Sequence, residues 1–237
     1  MTSTPLNDYV CCVASLRSEN NATLKVRAYK KHDPLQCFDI VFFSTTYIHI
    51  PFIFEAPILE TIQKEELAQV LANLSDGLQR AVSLFRFGRE NSKKYIVSLS
   101  YSVEQPVLDE DWTPPSRVAN RYEWSVNKFA KETLSEISFF YLNSMRLNDG
   151  SLYLSITATN SKDKRYHLYC QDVRYLQTPT ISACEPFQIA DRDDAAHLAN
   201  KIGLDVRSNV GLLTTLAQNV PVQILCSNFL ISPIPNS

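Results

Sequence analysis

Residues 9–101 of this chain can be laid over residues 137–228 with hardly a gap, and a chain that echoes itself is constrained to build a similar element order twice. Asn20-Asn21-Ala22-Thr23-Leu24 falls on Asn148-Asp149-Gly150-Ser151-Leu152, an offset of 128 residues. Tyr47, Pro51 and Ile53 fall on Tyr175, Pro179 and Ile181 at the same offset. Dropping one residue beyond that point keeps Leu71-Ala72-Asn73 on Leu198-Ala199-Asn200, Arg80 on Arg207 and Ser100 on Ser227. Identities are few, so the case rests on the shared order of apolar runs and turn signals. The competing reading is two unrelated α+β segments that happen to share element order.

Residues 9–16 and 22–29 flank Asn20-Asn21, which tolerate positive φ, and read as a hairpin. Its counterpart is residues 137–147, Asn148-Asp149-Gly150, then 152–159, where Asp-Gly suits the type I′ turn that matches strand twist. In the latter strand Leu152, Leu154, Ile156 and Ala158 face one way, and Tyr153, Ser155, Thr157 and Thr159 the other. Further strands are expected at 38–43 with 47–54, and at 166–170 with 173–181. Pro51 and Pro179 put the last of these at an edge or a bulge.

Helices come next. Thr61 caps an expected helix whose apolar positions Leu67, Val70, Leu71, Leu74, Leu78, Ala81, Val82 and Phe85 keep the 3.6-residue period. Asp191, Asp193 and Asp194 crowd the start of another through Ala195, Leu198, Ala199 and Ile202, closed by Gly203. Asp205 caps a third through Val210, Leu213 and Leu216. Each half then ends on one strand, 95–103 and 222–231. The expected fold is α+β: two related lobes, each an antiparallel three- or four-stranded meander followed by helix and a closing strand. Residues 1–103 form the first repeat and 121–237 the second. Between them, 104–120 is an acidic connector with Pro106, Pro114, Pro115 and Asp109-Glu110-Asp111. Residues 121–131, with Trp124 and Phe129, fit a helix without requiring one, and nothing comparable fits before Tyr9.

Composition narrows the function classes. With 237 residues, 45% of them hydrophobic, the chain can bury a sizeable core. Its 23 basic and 25 acidic residues nearly cancel, so no overall field draws it to nucleic acid or an anionic surface. Only five glycines occur, in no series, which excludes phosphate cradles and dinucleotide loops. No nucleotide or other cofactor is expected. The first residues lack the basic and apolar regions of a secretory signal, and no apolar run reaches the ~20 residues of a membrane span. A cytoplasmic or nuclear location is the expectation. The six cysteines form no C-x-x-C pair and mostly sit in apolar runs, so they read as reduced, buried thiols.

Chemistry-bearing residues are sparse. Of the four histidines, His197 follows Asp193 and Asp194 at helical spacing, which suits capping and a local ion pair better than a metal site lacking a third ligand. Strand alternation sends His167 and Cys170 to opposite faces, so no thiolate nucleophile is assembled there. Asp109-Glu110-Asp111 lacks the surrounding loop of a cation site. No catalytic signature and no metal site are found, and the chain is expected not to be an enzyme.

Basic residues are the one positive lead. Lys25, Arg27, Tyr29 and Lys31 alternate along one strand and should share its outer face, while Arg86, Arg89, Lys93 and Lys94 lie beside Phe85, Phe87 and Tyr95. Cations hold phosphates and exposed aromatics stack on bases, the combination of single-strand binders. Tandem meander-plus-helix repeats are similar in element order to the PUR and Whirly families, though no motif of either is present. The leading expectation is a non-enzymatic protein-interaction protein: an adaptor, assembly factor or subunit that uses strand edges and an outer sheet face. The alternative is a single-stranded nucleic-acid binder that uses the basic face.

Overall fold

In the computed structural model, runs whose apolar side chains alternate, such as Leu152, Leu154, Ile156 and Ala158, form strands, and so do runs buried at successive positions. The structure describes residues 3–18, 21–72, 76–88, 93–108, 112–115, 125–126, 128–148, 150–159, 164–180, 182–202 and 210–234. Among these are twenty strands, and no helix exceeds ten residues. The expected α+β class is therefore corrected: the protein is predominantly β, with antiparallel sheets. No described helix is long and apolar enough to cross a membrane. The chain divides into two compact units, Met1–Pro115 and Ser116–Ser237, with the break inside the connector.

The first unit contains β1 (Ser3–Pro5), β2 (Tyr9–Arg17), β3 (Thr23–Lys30), β4 (Cys37–Phe43), β5 (Tyr47–Pro51), β6 (Ile53–Glu55), β7 (Ile58–Ile62), β8 (Ser83–Phe87), β9 (Tyr95–Ser98) and β10 (Ser100–Glu104). One sheet runs β1-β7-β8-β9-β5 and the other β10-β4-β3-β2, with β6 also on β2. Phe42, fully buried on β4, meets Phe85 and Phe87 of β8 at ring-centroid distances of 5.5 and 6.0 Å, and Phe54 of β6 meets Phe87 at 5.0 Å. These aromatics are the core of a sandwich.

The long helix expected from Thr61 to Phe85 is not formed. Those two residues are cross-strand partners in β7 and β8, and the described helical residues between them are a 3-10 turn (Lys64–Leu67), α1 (Ala68–Leu71) and α2 (Asp76–Ala81). Ile58, Thr61, Ile62, Phe85 and Phe87 are β-branched or aromatic, and pairing them across a sheet outweighs a helical period that fits the run equally well. The strand expected over 47–54 also divides. β5 pairs with β9 and β6 with β2, so Pro51, which has no N–H for a ladder, ends β5 where the chain crosses between sheets. Residues 95–103 divide likewise at Leu99 into β9 and β10.

The second unit contains β11 (Ser125–Val126), α3 (Lys128–Glu136), β12 (Phe140–Asn148), β13 (Ser151–Ala158), β14 (Arg165–Gln171), β15 (Tyr175–Pro179), β16 (Ser182–Cys184), β17 (Gln188–Ile189), α4 (Arg192–Lys201), β18 (Gly211–Ala217), β19 (Val220–Cys226) and β20 (Asn228–Pro233). One sheet is β15-β19-β18-β17 and the other β12-β13-β14-β20-β11, with β16 on β12. Gly150 stands at φ 74° between β12 and β13, while Asp149 of the expected turn lies outside the described residues. The Asp191 carboxylate accepts the Asp194 N–H at 2.8 Å and caps α4. Ala195, Leu198 and Ala199 pack it onto Tyr175, Leu212 and Leu225. The helix expected through Leu213 and Leu216 is instead strand β18, while Gly203 and Asp205 lie outside the described residues.

The two units follow one pairing plan. Leu24↔Phe42 corresponds to Leu152↔Cys170, Tyr47↔Val97 to Tyr175↔Leu225, and Ser100↔Phe43 to Asn228↔Gln171, each residue displaced by 128. Turn hydrogen bonds correspond too: Thr45 N–H to Ala22 O with Val173 N–H to Gly150 O, and Thr46 N–H to Val97 O with Arg174 N–H to Leu225 O. Ser44 and Asp172 share a positive φ, 50° and 51°. The ladders drop no residue, so Ser100 matches Asn228 rather than Ser227.

Candidate functional site

On β3, alternation sets Lys25, Arg27 and Tyr29 on one side, yet the centre of that side is covered. Arg27 is 8% exposed and Tyr29 6%. Arg27 Nε and Nη2 donate to Asp39 Oδ1 and Oδ2 at 2.7 and 3.0 Å, a two-pronged pair with its register partner on β4. Trp112, from the segment after β10, closes over them: the guanidinium lies 5.2 Å from its ring centroid and the Tyr29 ring meets it edge-on at 5.8 Å. Hydrogen bonding to Asp39 holds the Arg27 pKa above its usual value against the opposing effect of burial. The expectation of an open basic face through Arg27 and Tyr29 is thus corrected by a buried ion pair under a tryptophan.

The other cations are mostly engaged as well. Arg86 on β8 donates from Nε and Nη2 to Glu60 Oε1 at 2.9 and 2.5 Å, and from Nη1 to Glu66 Oε2 at 2.7 Å. It thereby ties the 3-10 turn to the sheet and is 6% exposed. Lys31 Nζ pairs with Glu55 Oε2 at 2.9 Å on the surface. Lys94 lies 5.8 Å from the Phe54 ring centroid, and burial lowers its pKa. Lys31 and Lys94 are brought together at Glu55, whereas Arg27 and Arg86 belong to different sheets. Lys25 is half-buried and Lys93 exposed, while Arg89 lies outside the described residues.

The histidines, thiols and carboxylates singled out in the sequence are dispersed among the described residues. No cluster of three His, Cys, Asp or Glu residues suited to a metal ion exists among the described residues. Asp193, Asp194 and His197 are all exposed on α4. His167 is exposed and Cys170 buried, on opposite faces of β14. Burial pushes the Cys12 and Cys184 thiols up to about 12 and raises Cys11 and Cys226 as well, so these sulfurs stay protonated at neutral pH. The acidic run Asp109-Glu110-Asp111 lies outside the described residues.

A different surface emerges at β10, the edge strand of its sheet. The Leu99 N–H donates to Phe43 O at 3.0 Å, placing these two residues together at the corner where β9 passes into β10. Phe43 is 39% exposed, Leu99 40% and Val103 51%. Their counterparts in the second unit are Gln171, Ser227 and Ile231. Ser227 is buried and donates to Asp172 Oδ2 at 2.7 Å, and Asp172 also pairs with Arg174 Nη2 at 2.6 Å. Ile231 is 4% exposed. One corner is thus closed by a polar network, and the other shows apolar side chains to water. Sequence reading passed over this surface, although placing Phe43 against Gln171 and Leu99 against Ser227 at a uniform offset of 128 exposes the exchange of polar for apolar. Comparison with family models, curated protein sequences and solved structures found no match for this chain.

Proposed function

We propose that this is a non-enzymatic protein-binding protein, an adaptor, assembly factor or subunit of a complex, that engages its partner through the β10 edge of the first unit. The observation that carries this reading is the unequal treatment of equivalent edges. β20 is paired with β11 and packed by α3, while β10 has no strand on its outer side among the described residues and leaves Val103, with Leu99 at the β9–β10 corner, exposed. An edge strand offers unpaired N–H and C=O groups, and exposed apolar side chains beside it add area to bury. Of its candidate cations, the competing nucleic-acid reading is left with Lys25, Lys93 and Lys94 outside the carboxylate pairs, because carboxylates already hold Arg27, Arg86 and Lys31. The test is a pull-down of the tagged full chain from its native source, with and without nuclease. The expected result is a stoichiometric protein partner that survives nuclease; capture of nothing, or of partners lost with nuclease, overturns the proposal.

A further inference from the structure

Equivalent strands in the two units have been finished differently, and the finished one indicates what the other accepts. In the second unit, β11 adds to β20 in parallel, Ser125 opposite Asn228 and Val126 opposite Phe229. Next in sequence is α3, which packs on β20. Along this helix Ala130, Thr133, Leu134 and then Ile137 are buried, the i, i+3, i+4, i+7 stripe of an amphipathic helix, with Glu132, Ser135 and Glu136 exposed. Ile231, on the same strand, is 4% exposed.

In the first unit the corresponding strand carries Ser100 and Tyr101 where β20 has Asn228 and Phe229, and Val103 where it has Ile231. Tyr101 points between the sheets, 5.1 Å from Phe85 and 5.9 Å from Phe42 by ring centroids. Val103 lies on the same side by alternation, yet is 51% exposed. The described segment ahead of β2 meets β10 through Thr4 Oγ1 and the Tyr101 hydroxyl, 3.1 Å apart, and adds no strand to it. It forms β1, which pairs with β7 in the other sheet, Ser3 opposite Glu60.

We infer that the element landing on β10 is a partner's short strand, running parallel to β10, that leads into an amphipathic helix whose apolar stripe covers Val103, as β11 and α3 cover β20. This rests on the protein-binding reading and specifies its partner. Parallel addition satisfies backbone groups on the outer side of β10, and the helix removes the neighbouring apolar side chains from water.

The probe is a synthetic peptide of residues 125–137 of this chain, added to the full-length protein. Backbone hydrogen exchange is followed over residues 100–104 and 228–231. The peptide is expected to slow outward-facing β10 amides about tenfold, the effect of a tenfold excess of bound over free edge, and to leave β20, already covered, unchanged. A peptide carrying Ala130→Asp and Leu134→Asp should do nothing, and Val103→Lys in the protein, at an exposed position, should abolish the effect without altering its circular dichroism. Unchanged β10 exchange with the peptide, or slowing that persists in Val103→Lys, overturns the inference. Running the native pull-down with wild type and Val103→Lys side by side separates the two levels. A partner held equally by both sinks this inference and leaves the protein-binding reading standing, whereas no partner with either sinks the reading itself.

Discussion

Asp39→Ala is the substitution that best separates a structural Arg27 from a ligand-binding one. It removes both acceptors of Arg27, at 2.7 and 3.0 Å, and leaves a guanidinium whose side chain is 10% exposed without its carboxylate. Stranding one member of a buried pair costs about 3–5 kcal/mol. The Trp112 contact, worth about 0.5–2 kcal/mol, is present before and after and does not alter the difference. Urea unfolding followed by circular dichroism reads this directly: with a slope of about 1–3 kcal/mol per M, the transition of the first unit moves down by at least about 1 M. Arg27→Leu combined with Asp39→Leu should return stability to within about 1 kcal/mol of the parent or above it, because well-packed apolar residues match or exceed a buried pair. A loss below about 1 kcal/mol for Asp39→Ala, the value of an exposed pair, would refute the reasoning. It would mean that water reaches the guanidinium beneath Trp112, returning Arg27 to the pool of cations available to a ligand.

Other substitutions follow the same logic. Arg86→Met should cost about 2–4 kcal/mol, since Glu60 and Glu66 lose a 6% exposed partner that ties the 3-10 turn to the sheet; the reading is a urea midpoint, and an unchanged one contradicts it. Lys31→Ala should cost less than about 1 kcal/mol and become silent in high salt, as both members of that pair are more than 40% exposed (47% and 44%). Thiol titration of the native protein near pH 8 should show Cys37 reacting first, because the other five cysteines are buried, and all six should react after unfolding; several fast native thiols would count against this packing. The folded-state pKa values of Cys12 and Cys184, about 12 against the usual 9.0, are raised. Stability from their neutral thiols is therefore intact below pH 9 and lost as pH rises from 9 to 12. Urea midpoints measured across that window should fall less steeply in a Cys12→Ala, Cys184→Ala double variant.

Local signals in the sequence described local structure well and long-range structure poorly. The Asn148-Asp149-Gly150 turn and the Asp191 cap act over a few residues, and β12–β13 and α4 stand where those signals place them. Thr61 to Phe85 misled because a helical period and two short strands fit the same apolar residues, and the choice was made by pairing with each other and with β9. Leu213 and Leu216 misled for the same reason, their strand being fixed by partners on β19. Alternation correctly put Lys25, Arg27 and Tyr29 on one side of β3 but carried no information on what lay above it. That cover, Trp112, comes from a connector whose charge and prolines read as solvent-exposed. The dropped residue rested on matching Leu71-Ala72-Asn73 to Leu198-Ala199-Asn200, Arg80 to Arg207 and Ser100 to Ser227 by identity, whereas the ladders pair Ser100 with Phe43 and Asn228 with Gln171 and so restore the offset of 128 at the closing strand. The open β10 edge is legible only once that register is right, because it consists of a difference between equivalent positions.

Native-state hydrogen exchange of the protein alone, comparing residues 100–104 with 228–231, tests the unequal edges most directly. The account holds that β10 is paired on one side and β20 on both, so alternate β10 amides should exchange freely with solvent while their β20 counterparts at Asn228 and Phe229 stay protected. Protection of β10 equal to that of β20 in the isolated protein would show that the edge is already occupied, and the binding surface proposed here would not exist.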